Sequence, residues 1–454
     1  MNLDQGGNSL DSQLLRKIKS KQAIVTVIGL GYVGLPLALR CLTCGFKVIG
    51  FDTDQNKIEK MKAGQSPIQD ISDYQLQEVL KQNHFSLTTN GGDLKNADIF
   101  LVCVPTPLKE NYEPDISFVK AAADIIFDCC KEDCFVALES STYPGTTKQV
   151  FGNFNEYKKI FLAYSPERVD PGNEIYEVKN TPKVVGTDDP ESYKIAKAFY
   201  QSIVDKVHIV TSTEVAEMSK LLENSFRSIN IAFMNEMAEI CEHLKIDIWN
   251  TIEAAATKPF GFMKFTPGVG VGGHCIPLDP MYLEWAAQQA GHSSEFLNLA
   301  HRVNKGQPQR IVNNVLEILT QVDKPIKTSR IVVYGMGYKG NSSDIRESKS
   351  LEIFNLLYLL GAKVDYIDEN VKSIIACDGH SYEGITIQEV TSDCDLLIIT
   401  NDCNQCDYQA IQSVDVLIYD VINLLKSKRK NVVIYGKKDS YQNCQNFQKE
   451  SLSI

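Results

Sequence analysis

A strand, a glycine-rich turn, a helix, a second strand and an acidic residue follow one another near the start of the chain. Residues 23–28 (AIVTVI) form a short β-branched run, and the turn Gly29-Leu-Gly-Tyr-Val-Gly34 follows at once. Residues 35–42 indicate an apolar helix, and a second strand over 47–51 ends at Asp52. This order predicts a parallel βαβ unit, in which the first glycine makes the tight turn and the third lets the helix pack on the strand.

The same stretch predicts a dinucleotide site. The second glycine lets a pyrophosphate approach the backbone, and the N-terminus of the helix favours phosphate. Asp52 would accept the ribose hydroxyls and repel a 2′-phosphate, which favours NAD over NADP. Lys57 would either reach the ribose or a phosphate, or remain a solvated helix lysine. The NAD contacts predicted in the turn are Gly29, Gly31, Tyr32, Val33 and Gly34.

Polar residues follow three further predicted strands. In a doubly wound sheet, ligands lie beyond the carboxyl ends of the strands. Thr106 and Thr142 follow the strands predicted over 97–104 and 134–138. Each hydroxyl either meets a ligand there or caps a turn. Glu167 and Arg168 lie in a charged loop after the strand that starts at 161, on the same predicted edge.

The middle of the chain is predicted to be helical. Thr211-x-x-Glu214 has the spacing of a capping box and precedes an amphipathic segment that runs to about residue 244. Lys220, Asn224 and Asn235 share one face of that helix. Lys220 alone fits a solvated surface lysine. Asparagines lower helix propensity, so the polar stripe suggests side chains aimed at a ligand.

A glycine loop, residues 265–279 (FTPGVGVGGHCIPLD), follows the helix. Glycines let a backbone approach a ligand, so the loop would present Cys275 to whatever it wraps. The alternative is a flexible turn followed by a buried cysteine. Asp279 and Pro280 fit the N-cap and first turn of the next helix, a role that is compatible with catalysis.

A second GxGxxG sequence, Gly335–Gly340, follows another strand, and a further strand ends at Asp368. By motif alone this would be a second NAD site. However, Gly340 leads into polar residues, and the helix begins near Ser348. We therefore interpret the stretch as a second Rossmann-like domain, with Lys339 and Arg346 available for phosphates.

The fold prediction is α/β, with two Rossmann-like doubly wound parallel-sheet domains joined by a long central helical region. A mobile polar extension (1–22), an NAD-binding domain (23–210), a central helical domain with the cysteine loop (211–322) and a C-terminal domain (323–454) are expected. The 454 residues exceed what one core usually supports.

Composition excludes several classes of function. A net charge of -11 argues against nucleic acid or an anionic membrane as the main partner. Residues 1–21 lack the apolar core of a secretion signal, and no apolar run of 18 residues predicts a membrane span. The 13 cysteines lack metal-type spacing, so we expect free thiols in a reducing cytoplasm and no metal site.

The chain resembles the UDP-glucose/GDP-mannose dehydrogenase family in motifs that occur in the family's order: GLGYVGLPLA, VPTP, ESSTYPGTT, YSPER, AEMSKLLENS, GVGVGGHCIPLDP and YGMGYKGNSSDIRES. Within the family, KPFGFM and GGHCIPLDP are most similar to bacterial UDP-N-acetylglucosamine 6-dehydrogenases of surface-polysaccharide pathways. The resemblance implies that a UDP-sugar C6 alcohol is oxidised to a carboxylate with two NAD and one water, by a homodimer or higher homo-oligomer formed through the central helices.

The resemblance also implies catalytic roles. Cys275 would attack the C6 aldehyde to give a thiohemiacetal, which a second oxidation converts to a thioester. Lys220 would lower the pKa of the thiol and, with Asn224, stabilise the oxyanion. Glu167 would be the general base for hydrolysis. Asp279 would orient Lys220 or the water.

The implied ligand contacts extend over both Rossmann-like domains. Thr142 would assist a proton step or contact NAD. The other implied NAD contacts outside the glycine turn are Asp52, Lys57, Thr106 and Arg346. The uridine diphosphate would lie between the glycine loop and the last domain. The implied substrate contacts are Glu167, Arg168, Lys220, Asn224, Phe265, Gly270, Gly272, Gly273 and Lys339.

Two departures and three alternatives accompany the resemblance. Where the family commonly has D-x-R-N, this chain has Ile422 in place of the basic residue. Before the glycine loop only Lys258 and Lys264 stand near the place of an arginine that reaches a neighbouring subunit in some relatives.

The alternatives are a UDP-glucose or other UDP-hexose dehydrogenase, a single-oxidation β-hydroxyacid-type dehydrogenase, and a non-catalytic nucleotide-sugar binding protein. Cys275 argues against the second, and the intact catalytic set argues against the third.

Overall fold

The computed structural model describes residues 12–68, 70–170, 173, 175–273, 275–402, 408–427 and 429–442. The chain divides into two compact units. The first holds the residues up to Glu223 together with Trp285–Gly291, and the second holds Asn224–Glu284 together with the residues from His292 onward. Each unit contains a mainly parallel sheet, which confirms the predicted α/β fold with two Rossmann-like sheets. The predicted boundaries of the four parts remain a prediction.

The strands of the first unit are β1 (Ile24–Ile28), β2 (Lys47–Phe51), β3 (Phe85–Thr88), β4 (Ile99–Val102), β5 (Cys134–Leu138), β6 (Ile160–Tyr164), β7 (Lys183–Gly186) and β8 (Val207–Val210). They form one sheet in the order β3-β2-β1-β4-β5-β6-β7-β8. Neighbours are parallel except β6 and β7, which pair antiparallel. The first six strands therefore have the order 3-2-1-4-5-6 that is typical of dinucleotide-binding sheets.

The helices of the first unit are α1 (Gln13–Lys19), α2 (Gly34–Thr43), α3 (Gln55–Lys62), α4 (Asp73–Leu80), α5 (Ser117–Cys129), α6 (Thr146–Phe151) and α7 (Pro190–Gln201). The sheet is buried on both faces. Ile99 and Leu101 of β4 belong to one apolar cluster, and Phe100 and Val102 belong to another. This arrangement explains why the strand is apolar throughout and does not alternate.

Helix α1 corrects the prediction of a mobile polar extension over residues 1–22. Its Leu14, Leu15 and Ile18 are buried in the first unit's core. The ammonium of Lys17 lies 2.8 Å from the carboxylate of Asp98. The prediction is wrong for residues 13–19, because three apolar residues at helical spacing supply a packing face. Residues 1–11 lie outside the described part of the chain.

The remaining helices are α8 (Thr213–Leu244), α9 (Ile248–Ala256), α10 (Asp279–Gln289), α11 (Glu295–Gln321), α12 (Lys349–Leu359) and α13 (Tyr408–Ser413). Helix α8 ends where predicted, but its cap differs. The hydroxyl of Ser212, not that of Thr211, accepts the N–H of Val215. Helix α10 includes Asp279 as its first residue, so the structure does not place Asp279 outside the helix as its N-cap.

The strands of the second unit are β9 (Arg330–Tyr334), β10 (Lys363–Ile367), β11 (Ser373–Ile375), β12 (Ser381–Glu383), β13 (Leu396–Ile399), β14 (Ile418–Asp420) and β15 (Val432–Ile434). Five of them form a parallel sheet in the order β10-β9-β13-β14-β15, and β11 and β12 form a separate antiparallel pair. The order corresponds to the 2-1-3-4-5 doubly wound topology. Helix α12 follows an N-cap at Ser348, close to the predicted start.

Candidate functional site

The first glycine turn has the geometry that the sequence predicts. Gly29 has φ +91°, and a Cβ there would lie 2.5 Å from the carbonyl oxygen of Cys103. A Cβ at Gly34 would collide with the carbonyl oxygen of Gly29. At Gly31, in contrast, a Cβ would meet no atom within 4 Å. The outer glycines are therefore required by the fold, whereas the middle one leaves the backbone open to a ligand.

Helix α2 begins inside this turn without a side-chain cap. Its N-cap residue, Val33, makes no capping hydrogen bond. The first N–H groups of an α-helix lack partners within the helix, and the helix dipole favours negative charge there. The turn and the helix N-terminus together fit the pyrophosphate of a dinucleotide. Tyr32, also predicted to contact NAD, is 36% exposed beside them.

Asp52 supports the turn from the end of β2. Its carboxylate accepts hydrogen bonds from the backbone N–H groups of Leu30 (2.9 Å) and Asp54 (3.0 Å) and from Nζ of Lys57 (2.7 Å). Burial alone would raise the pKa of this carboxyl, but the hydrogen bonds, that from Lys57 first, lower its pKa. Lys57 is therefore an ion-pair partner of Asp52 and not a freely solvated lysine.

The hydroxyls of the two predicted threonines donate to neighbouring protein atoms. Thr106 donates to the carbonyl of Ser141 (2.7 Å), and Thr142 donates to the hydroxyl of Thr146 (2.6 Å). Both threonines are buried. Their turn-stabilising role is thus visible in the structure, and a contact of either one with NAD remains a prediction.

A carboxylate on α8 holds the loop that carries Thr142. Glu217, which is fully buried, accepts the N–H of Gly145 (2.5 Å) and both the N–H (2.8 Å) and the hydroxyl (2.6 Å) of Thr147. Burial raises the pKa of Glu217 to about 7, although these hydrogen bonds lower it. The sequence interpretation missed this residue, which lies three positions before Lys220 on the same helix.

Glu167 lies at the centre of a buried polar cluster that the sequence did not reveal. One of its carboxylate oxygens, Oε1, accepts the N–H groups of Arg168 (2.7 Å) and Val169 (2.8 Å). The other, Oε2, lies 3.1 Å from Nζ of Lys183. The same ammonium lies 2.6 Å from Glu139.

The cluster extends from β7 to the end of β5 and to α7. Tyr200 donates its phenol to Oε1 of Glu139 at 2.5 Å. Burial raises the pKa of Glu139 despite the nearby charge of Lys183. Burial would also raise the pKa of Glu167, but the charge of Lys183 and the backbone N–H groups lower it. A lysine at the head of the apolar run KVVG is a sequence signal that could have pointed to this cluster.

Lys220 and Arg168 belong to the same unit as Glu167. Nζ of Lys220 donates to the backbone carbonyl of Glu167 at 2.7 Å. Arg168 donates to Glu223 and to the carbonyl of Pro182. The structure thus brings Lys220 to the backbone of Glu167 and pairs Arg168 with a carboxylate, and the catalytic roles of Lys220 and Glu167 remain a prediction.

The second unit holds the other predicted catalytic residues. Asn224, which is buried, donates its amide to Oδ2 of Asp279 at 2.5 Å. Cys275 is exposed, and its carbonyl accepts the N–H groups of Leu278 (3.1 Å) and Asp279 (2.9 Å) at the start of α10. The alternative of a buried cysteine after the glycine loop is therefore wrong.

Asn235 corrects the interpretation of the polar stripe on α8. It is buried, and its Oδ1 accepts the N–H of Gly268 at 2.9 Å. Gln307 donates to the carbonyl of the same glycine at 2.9 Å. Asn235 therefore fixes the start of the glycine loop and is not aimed at a ligand, because a buried amide needs hydrogen-bond partners wherever the fold supplies them.

The glycine loop packs on the second glycine turn. Gly270 and Gly273 have positive φ (+106° and +80°). A Cβ at Gly272 would lie 2.7 Å from the carbonyl oxygen of Glu347, and one at Gly273 would lie 2.6 Å from the ring of Tyr338. These glycines thus permit close packing within the unit, in addition to any contact with a substrate. Phe265, at the start of the loop, packs edge-on against Phe226.

The second glycine turn is closed by its own chain. A Cβ at Gly337 would collide with the carbonyl oxygen of Ser342. Asp368 accepts the N–H groups of Met336 (2.7 Å) and Gly337 (3.1 Å). Nζ of Lys339 lies 5.9 Å from the ring centroid of Tyr338. Arg346, predicted to contact NAD, forms an ion pair with Asp344.

Two further observations concern metals and membranes. In the described part of the chain, no three His, Cys, Asp or Glu side chains are grouped closely enough to hold a metal ion. None of the helices with described residues is both long and apolar enough to cross a membrane.

Comparisons with known proteins agree with this arrangement. Residues 23–204, 214–306 and 332–427 match the NAD binding domain, the central domain and the UDP binding domain of the UDP-glucose/GDP-mannose dehydrogenase family. The chain is 31% identical to UDP-N-acetyl-D-mannosamine dehydrogenase of Methanococcus maripaludis, over 91% of this chain and 92% of that protein. It is 34% identical to UDP-N-acetyl-D-glucosamine 6-dehydrogenase of Pseudomonas aeruginosa, over 81% of this chain and 86% of that protein.

A solved structure of UDP-D-ManNAc dehydrogenase from Pyrococcus horikoshii superimposes with a TM-score of 0.82 at 28% identity, covering 92% of this chain and all of that one. The open turn at Gly31, the uncapped helix α2 and the carboxylate of Asp52 fit the NAD that this family binds. The chain therefore belongs to the UDP-glucose/GDP-mannose dehydrogenase family of NAD-dependent nucleotide-sugar 6-dehydrogenases.

Proposed function

We propose that the chain oxidises the C6 alcohol of a UDP-N-acetylhexosamine to the carboxylate, with UDP-N-acetylglucosamine as the substrate. The observation that carries the proposal is the exposed Cys275, in a loop next to a helix whose first residue, Asp279, is bonded to Asn224. A thiol nucleophile is needed for oxidation beyond the aldehyde but not for a single oxidation. The relatives named above support an N-acetylated sugar, and UDP-N-acetylmannosamine is the second candidate.

The chemistry assigns one role to each catalytic side chain. The thiolate of Cys275 adds to the C6 aldehyde, and the resulting thiohemiacetal is oxidised to a thioester. Lys220 and Asn224 stabilise the oxyanion. Glu167 takes a proton from water as the new C–O bond forms, and the C–S bond breaks to release the Cys275 thiolate. Two NAD, bound one after the other, would each accept one hydride, the first from the C6 alcohol and the second from the thiohemiacetal.

Asp279, Thr142 and the UDP contacts complete the proposal. Asp279 keeps Asn224 in place through their 2.5 Å hydrogen bond. Thr142 assists a proton step or contacts NAD. The uridine diphosphate lies against the glycine loop and Lys339. Ile422, which stands where the family commonly has a basic residue, lies near the loop, 3.7 Å from where a Cβ of Gly268 would be. Ile422 therefore offers no charge to a diphosphate at that position.

We further propose that the enzyme is a cytoplasmic homodimer or higher homo-oligomer that serves surface-polysaccharide synthesis. Within the second unit, Phe226, Phe233, Ile240 and Leu244 of α8 are all exposed. Their spacing places them along one side of the helix. An exposed apolar stripe of this kind is typical of an association surface. Light scattering on the full chain tests the oligomer.

The decisive experiment measures NADH formed per sugar consumed with UDP-N-acetylglucosamine, UDP-N-acetylmannosamine, UDP-N-acetylgalactosamine and UDP-glucose. We expect a ratio of two and the highest kcat/KM with UDP-N-acetylglucosamine. A ratio of one would instead support a single-oxidation enzyme. Preference for UDP-glucose would overturn the N-acetyl assignment, and the absence of turnover with every sugar would support a binding protein.

The Cys275→Ser variant tests the covalent step. We expect its turnover to fall by about three orders of magnitude or more, while NAD and UDP-sugar binding persist. Cys377→Ser is the matched control, because Cys377 is also exposed and lies just after β11, outside the glycine loop. Two NADH per sugar from Cys275→Ser at the normal rate would contradict the thioester route.

A further inference from the structure

A single buried ammonium, that of Lys183, is shared by two carboxylates. Its Nζ lies 2.6 Å from Glu139 and 3.1 Å from Glu167, and the side chain of Lys183 is only 4% exposed. Burying charges is costly unless they are paired. The proposed reaction uses Glu167 but assigns no role to Lys183 or to Glu139.

We propose that Lys183 and Glu139 are positioning residues that set the aim and base strength of Glu167, with the two carboxylates competing for one ammonium. The proposal rests on the function proposed above, in which Glu167 activates the hydrolytic water. Lys183 and Glu139 would then affect the rate of thioester hydrolysis and not the oxidation steps, because only hydrolysis needs Glu167 as a base.

The contacts of Glu167 fix the direction of its carboxylate. Oε1 is held by two backbone N–H groups, and Oε2 faces Lys183. The carboxylate cannot rotate without breaking at least one charge-assisted hydrogen bond. Lys183 thus keeps Glu167 ionised, which is the form that a general base requires.

Glu139 weakens the hold of Lys183 on Glu167. The ammonium is nearer to Glu139, which also takes the phenol of Tyr200. Glu139 is also a second negative charge close to Glu167, and like charges raise a carboxyl pKa. If Lys183 were paired with Glu167 alone, the pKa of Glu167 would be lower, and Glu167 would be a weaker base than it is in the shared arrangement.

The groups that face Glu167 come from five elements and the loop itself. Lys220 contacts the backbone carbonyl of Glu167, and Arg168 is paired with Glu223. Among the described residues, Lys183 is thus the cation at the carboxylate oxygens. The facing charged and titratable residues are Cys103 after β4, Glu139 after β5, Lys183 on β7, Tyr200 on α7, Lys220 on α8 and Arg168 in the loop.

The test compares Lys183→Met, Lys183→Arg and Glu139→Gln in the full-length enzyme with NAD and the UDP-sugar. Lys183→Met should move the acid limb of the kcat–pH profile up by about one pH unit or more, because burial then raises the pKa of Glu167 without the opposing charge of Lys183. Lys183→Arg should restore the limb. Glu139→Gln should move it in the opposite direction and lower the alkaline plateau several-fold.

Two further readouts separate base strength from general damage. Intact-protein mass after rapid quenching should reveal more thioester on Cys275 in Lys183→Met than in the native enzyme at the same pH. Infrared titration of the ligand-free protein, with the Glu167 band identified by its loss in Glu167→Gln, should give the same shifts directly. Lys159→Met is the matched control, because Lys159 forms an exposed ion pair in the same unit.

Folding is controlled by the double variant Lys183→Met/Glu139→Gln, which removes the buried pair together. It should move the acid limb upward, but by less than Lys183→Met does, because the negative charge of Glu139 is removed as well. If all variants lose rate equally at every pH with the Glu167 band unmoved, Lys183 and Glu139 are structural and the inference is wrong. If the native enzyme forms no thioester, the proposed function itself fails, which is a different result.

Discussion

The chain contains two glycine turns of the same spacing that differ in what surrounds them. In both, the first glycine has a positive φ (+91° at Gly29 and +90° at Gly335). In both, an aspartate at the end of the second strand accepts backbone N–H groups of the turn. Both turns are therefore held by the same two features, a first glycine with positive φ and an aspartate that accepts backbone N–H groups.

The turns differ at the middle glycine and at the helix that follows. Gly31 has open space beside it, whereas Gly337 is in close contact with the carbonyl of Ser342. Helix α2 begins at once and without a side-chain cap, whereas α12 begins nine residues after Gly340 behind the cap of Ser348. The GxGxxG spacing is thus compatible with an open turn and with a closed one, and the residues after the third glycine make the difference.

Gly31→Val tests whether the open space at the first turn admits NAD. We expect NAD affinity to fall about 100-fold or more, because the side chain would occupy the approach of the pyrophosphate. The Tm should change little, since apart from the neighbouring residues no protein atom lies within 4 Å of the position of a Cβ at Gly31. Calorimetric titration of NAD measures the first effect and thermal melting the second. An unchanged Kd would exclude this turn as the site.

Gly337→Ala should have the reverse pattern. Its Cβ would press on the carbonyl of Ser342, so the free energy of unfolding should fall by about 1–3 kcal/mol. NAD affinity of the folded protein should be unchanged. Chemical denaturation measures the loss, and Gly31→Ala is the matched control with no expected destabilisation. Equal stability of the two variants would contradict the description of a closed second turn.

Asp52→Asn and Asp368→Asn test whether the two aspartates differ in their contribution to NAD binding. We expect Asp52→Asn to weaken NAD binding about 10-fold, because a charged acceptor for the ribose is lost. Asp368→Asn should leave NAD affinity unaltered, since its carboxylate serves the backbone of its own turn. Weakened NAD binding in both variants would mean that the second turn also takes part.

Lys57→Met should give the smallest effect, a loss of NAD affinity of about threefold. The ammonium pairs with Asp52 and is partly exposed, so water replaces most of its contribution. Titration at low and high salt measures the change, and Lys60→Met on the same helix is the control. A loss as large as that of Asp52→Asn would indicate that Lys57 contacts NAD directly.

Sequence patterns predicted what depends on neighbours along the chain. The strand, turn and helix from residue 24 to residue 43, the length of α8 and the start of α12 all follow from local spacing. The polar cluster at Glu167 was missed, because Glu139, Lys183 and Tyr200 are far apart in sequence and meet only when β5, β7 and α7 assemble. Asn235 was misinterpreted for the same reason, since its partner Gly268 lies 33 residues away.

The packing of Gly273 on Tyr338 limits how domains of this family can be recombined. The glycine loop and the second glycine turn fit each other closely, although Gly273 and Tyr338 lie about 65 residues apart in the chain. A chimera that takes its C-terminal sheet from another dehydrogenase must therefore bring a loop that accommodates the new residue at 338. An exchange point just before Phe265 would separate the loop from Asn235, which holds Gly268, and Trp249 from the carbonyl of Tyr435. The exchanged segment must therefore also include helix α9 and the part of α8 that lies in the second unit.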